Sequence, residues 1–103
     1  MGEQNEQNTI ATATRLGAAN ASAEIGIVNN NVRPIRVSKV DMTGGTNINI
    51  TIFLSDSNLT EIQKQTILSG VQQSIESSGY TVQNAGKNLT ITTSRHNYLI
   101  KLN

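Results

Sequence analysis

The clearest periodicity in the chain is "NINITIFL" (47–54), where Ile48, Ile50, Ile52 and Leu54 alternate with Asn47, Asn49, Thr51 and Phe53. A period of two sends the two sets to opposite faces of a strand. With one set mostly polar, the strand is expected in a sheet covered on one side only. Upstream, "VRPIRVSKVDM" (32–42) predicts a second strand, whose start Pro34 confines to an edge or a bulge, and "TGGT" (43–46) is the turn between them. The period then changes. In "SDSNLTEIQKQTILSGVQQSIESSG" (55–79), Ile67, Val71 and Ile75, with Leu68 beside them, recur at helical spacing and form a core stripe. Ser57 or Asn58 is expected to cap this helix, Glu61 to sit near the positive end of its dipole, and Gly79 to end it. "YTVQ", "NLTITT" and "YLIKL" predict three short strands, linked by "NAGK" and "SRHN".

The first third of the chain reads differently. Residues 1–8 are Gln-, Asn- and Glu-rich and are expected to be a disordered tail. Residues 9–31 form a small-residue arm in which Ile10, Ala13, Gly17, Ala21 and Ile25 fall along one side at helical spacing. That side is narrow enough for another backbone to approach closely. Gly17 and the threonines weaken an isolated helix, so the arm reads equally as a helix formed on packing, an extended arm or a linker. The fold class expected from these patterns is α+β. One helix packs on a mainly antiparallel sheet, β-β-α-β-β-β, over residues 32–103, preceded by the arm.

Composition narrows the function more than the fold. At 103 residues the chain makes one domain. Only 15% of residues are charged and the net charge is +1, so no long-range field draws DNA, acidic membranes or acidic substrates. Uncharged polar groups replace charge: thirteen Asn, twelve Thr and nine Ser, a surface that permits self-association. With no cysteine there is no disulfide, thiolate chemistry or Cys-based metal site. No signal peptide or membrane-spanning run is visible, which fits a cytoplasmic or virion-associated setting. The four N-x-S/T triplets, at Asn20, Asn49, Asn58 and Asn88, follow from an Asn/Thr-rich composition.

Candidate chemistry is sparse. His96, the single histidine, falls in a turn and is expected to be exposed there; no G-x-S-x-G elbow accompanies it. One His and scattered acids give no metal-ligand spacing, and no cofactor is expected. At "LSDSNLTEI" (54–62), Asp56 and Glu61 oppose an anion at the helix start, so capping is the simpler reading. Arg33, Arg36 and Lys39 cluster without an intervening acid and are the candidate nucleic-acid contacts. A regular strand divides them, however, with Arg33 and Lys39 on one face and Arg36 on the other. No aromatic is interleaved for stacking.

The expectation is therefore a non-enzymatic structural or interaction protein, a self-assembling or partner-binding subunit of the kind found in filaments or virions. Its partner would be a second copy or another protein, not a membrane. The arm, through Ile10, Ala13, Gly17, Ala21 and Ile25, would be the docking element. A small nucleic-acid-binding protein using Arg33, Arg36 and Lys39 is the alternative.

Overall fold

The computed structural model describes residues 3–28, 35–55 and 59–103. It is a small α+β domain of two helices and a five-stranded mixed sheet. The elements run α1 (Glu3–Val28), β1 (Val37–Gly44), β2 (Asn47–Leu54), α2 (Glu61–Ser77), β3 (Gln83–Asn84), β4 (Asn88–Thr92) and β5 (Asn97–Leu102). The sheet order is β1-β2-β5-β4-β3.

A second helix, α1, precedes the expected one and takes in the arm as far as Val28, for which a helix is one of the readings, and the expected mainly antiparallel sheet contains one parallel pair. β2 leads into α2, which crosses the sheet. The chain returns through the β3–β4 pair before β5 lies parallel to β2, with Ile48 opposite Tyr98 and Ile50 opposite Ile100. The other pairings, β1 with β2, β3 with β4 and β4 with β5, are antiparallel. A hydrophobic alternation fixes which face of β2 is buried but says nothing of its neighbours' direction. Of "YTVQ" only Gln83 enters the sheet, together with Asn84 of the expected "NAGK" link, although Val82 is buried.

The buried face carries Ile48, Ile50 and Ile52 of β2, Leu89 and Ile91 of β4, and Tyr98 and Ile100 of β5. The helices cover it: Ile67, Leu68, Val71 and Ile75 of α2 join these strands and the α1 stripe in one core. The first turn of α2 is closed by Thr60, not Ser57 or Asn58, which lie outside the described residues. The Thr60 hydroxyl accepts from Gln63 N at 3.1 Å, and Gln63 Oε1 accepts from Thr60 N at 3.0 Å. This is a capping box, in which two helix-end N–H groups are satisfied reciprocally. At the other end Gly79 stands at φ +100°, and Tyr80 N reaches back to Ile75 O. That Schellman turn needs a left-handed residue, which glycine supplies at least cost.

Helix α1 begins at Glu3, so residues 3–8, expected as a disordered tail, are helical. Its stripe packs against α2. Ile10, Ala13, Ala21 and Ile25 are all at most 6% exposed. A Cβ placed on Gly17 would lie 2.6 Å from Gly70 O and 2.8 Å from Val71 Cα, so the helix backbones nearly touch there. Thr14 and Ser22 are also fully buried. Their hydroxyls donate to Ile10 O and Ala18 O, both at 2.7 Å, one turn back in the same helix. Satisfied this way, a hydroxyl can face a core that would otherwise penalise it.

Candidate functional site

The other face of the sheet is not covered by either helix. Strand register sets its residues in rows: Thr43, Asn49, Leu99 and Thr90 in one, Asp41, Thr51, Lys101 and Asn88 in the next. Asn47, Asn97 and Thr92 flank the first row, and Lys39 and Phe53 lie beyond the second. The side chain of Asn97 donates to Asn47 Oδ1 at 3.3 Å across the parallel pair. This face sets amides and hydroxyls around two half-buried apolar groups, Leu99 and Phe53, and carries three charged residues, Lys39, Asp41 and Lys101. It ends at β1, an edge strand of eight residues; the opposite edge, β3, has two.

Arg33 lies outside the described residues, and Arg36 is exposed just before β1. Lys39 sits on the open face, its Nζ 4.6 Å from the centroid of the Phe53 ring and 3.4 Å from Asp41 Oδ2. A register shift between Val37 and Lys39 places the bulge at Ser38, whose hydroxyl donates to Phe53 O at 3.0 Å. Lys39 is thus engaged by an acid and a ring on its own sheet, and the structure brings it no second described cation of the cluster. The arm residues Ile10, Ala13, Gly17, Ala21 and Ile25 are brought together, but against α2 of the same chain.

A polar cluster absent from the sequence reading lies where α1 begins. Glu6 Oε1 accepts from the Tyr98 hydroxyl at 2.6 Å and the Thr93 hydroxyl at 3.0 Å, with His96 Nδ1 at 3.4 Å. The Thr93 hydroxyl in turn accepts from the His96 and Arg95 backbone N–H groups, closing the β4–β5 turn. His96, expected to be exposed, is 8% exposed, and its ring meets Tyr98 edge-on at 6.0 Å between centroids. Burial pushes the Glu6 carboxyl up. The hydrogen bonds from Tyr98, Thr93 and His96, with the imidazolium charge, outweigh it and hold the group below its ordinary value. The signal for Glu6 was present: it lies four residues before Ile10, one turn back along the same stripe. Its polarity hid it.

This cluster is a clamp between the first turns of α1 and the β4–β5 hairpin. All three contacts are made to Oε1 of the Glu6 carboxylate, so a single oxygen ties α1 to the hairpin. Among the described residues no group of three or more His, Asp or Glu side chains could hold a metal ion. Nor is any described helix long and apolar enough to cross a membrane. Shallow grooves of about 430 and 520 Å³ run along the α1–α2 seam, floored by small residues including Ala13, Gly17, Ala21 and Gly70 and rimmed by exposed Leu16. No protein-family model matches the chain, and no curated protein matches it.

Proposed function

We propose that the chain is a non-enzymatic structural or interaction protein, a subunit that associates with copies of itself or with another protein. The observation that supports this most is the one-sided covering of the sheet. Both helices occupy one face, and the other presents amides and hydroxyls around Leu99 and Phe53, with Lys39, Asp41 and Lys101 among them, and ends at β1, which has a neighbour on one side only among the described strands. Such a surface has little net charge to repel a second copy and an ordered row of backbone groups to receive one. The stripe through Ile10 and Ile25 is buried against α2 of the same chain, which leaves the sheet as the surface open to a partner. A filament or a virion shell is the kind of assembly such a subunit serves.

Light scattering coupled to gel filtration over a concentration series tests the reading. A mass rising above 11.1 kDa with concentration is expected. A mass fixed at that value throughout overturns self-association.

The rival reading is nucleic-acid binding through Arg33, Arg36 and Lys39. One observation favours it: Lys101 shares the open face with Lys39, so two cations look outward together. A gel-shift series across salt decides between them, since phosphate contacts weaken steeply as salt rises. No shift at low salt removes it.

A further inference from the structure

Resting on the self-association reading, we infer that β1 is the interface, and that it pairs antiparallel with β1 of a second copy about a two-fold axis through Val40. The sheet has two ends. β3 is too short to template a partner, whereas β1 offers eight residues with neighbours on one side only among the described strands. Lys39 and Asp41 share the open face there, with side chains 60% and 49% exposed.

The charge pattern selects the register. An axis perpendicular to the sheet keeps both helix layers on one side, and it requires that residues of the same face stand opposite each other. With the axis at Val40, Lys39 stands opposite the partner copy's Asp41, and Asp41 opposite its Lys39. The intrachain ion pair becomes a ring of four alternating charges. Moving the axis one residue either way sets Lys39 against Lys39, or Asp41 against Asp41, and like charges directly opposite destabilise a strand pair. Lysine alone on an edge repels a copy of itself. Lysine two residues from an aspartate attracts an inverted copy. On the covered side, half-buried Val40 meets its own counterpart, and Met42, 37% exposed, gains an apolar diagonal neighbour. The result is a continuous ten-stranded sheet with one open face.

Two sets of variants of the full chain test this. The chain has no cysteine, so Val40→Cys introduces a single thiol. Directly opposite Cα atoms in an antiparallel pair stand about 4.5–5.5 Å apart, within reach of a disulfide. Residue 42 and its counterpart would be offset by four residues, about 13 Å, and out of reach. V40C is expected to oxidise to a covalent dimer faster when folded than in denaturant, and M42C is not. K39D or D41K alone is expected to weaken association about tenfold, and the double exchange K39D/D41K to restore it. Association that ignores the charges and leaves V40C reduced overturns this interface while self-association stands through another surface. A chain that is monomeric at every concentration overturns both.

Discussion

Gly17→Ala sets two effects of opposite sign against each other. In a helix interior the change gains about 1 kcal/mol of propensity, so in an open position it would stabilise α1. At Gly17 the added methyl would lie 2.6 Å from Gly70 O, 2.8 Å from Val71 Cα and 2.9 Å from Ser74 Cβ. Two of those atoms are backbone and cannot rotate away, so the helices must separate along their shared seam. Overpacking of this kind costs about 1–3 kcal/mol, and rigid neighbours put it toward the upper end. The net expectation is a loss of about 1–2 kcal/mol. For a domain of 103 residues, that lowers Tm by roughly 5–10 °C. Thermal unfolding followed by circular dichroism reads it directly. Gly70→Ala provides the companion measurement, because its methyl would meet the Ala21 methyl at 2.8 Å. Combining it with Ala21→Gly removes that methyl collision and leaves Gly17 O, at 3.2 Å, as the nearest atom, so the double variant should lose less than the sum of the singles. A Tm for Gly17→Ala above that of the parent chain would refute the close approach.

The clamp at the start of α1 gives a pH dependence with a definite sign. Glu6 has its folded carboxyl below its ordinary value, so its stabilisation is full above the unfolded value and lost as pH falls through the folded one. Denaturant midpoints measured from neutral to acid should fall more steeply for the parent chain than for Glu6→Gln. Tyr98→Phe removes the shortest bond to that carboxylate and should cost about 1.5–3 kcal/mol in urea unfolding. Thr60→Ala deletes the capping box and should cost about 1 kcal/mol by the same assay, with the fold retained. Arg36→Ala should leave stability within about 0.5 kcal/mol by the same urea assay, since the residue is exposed.

What the sequence disclosed was what period and punctuation encode. Ile48, Ile50 and Ile52 declared a one-sided strand, Ile67 to Ile75 a helix stripe, and Gly79 its end, and all of these are where the pattern placed them. Three things were hidden because they depend on distant contacts. The α1 stripe was legible, but its small residues pointed to another chain, whereas Gly70 sits opposite Gly17 within this one. The polar first turn looked unstructured until Glu6 met three donors some ninety residues away. His96 looked exposed because turns are; its ring is covered by the contact with Tyr98 and Glu6. The basic cluster has a neighbour of a different kind. A count of charges along a strand does not include the aspartate two residues on, which Lys39 shares a face with and contacts.

The bond between Glu6 and Tyr98 spans 92 residues. Its consequence is one of timing. α1 is synthesised before β4 and β5, so the groups that hold its opening turn are not made until those strands have followed. Contacts of such separation form late, because the loop they close must be ordered before they contribute. A nascent chain that has reached only α2 can pair its two helices along Gly17 and Gly70, but its first turn has nothing to hold it. Completion of the β4–β5 hairpin is therefore the event that locks the first turn of α1. A variant slow to form that hairpin should leave the start of α1 open to proteolysis during refolding, while the later strands are still finding their register.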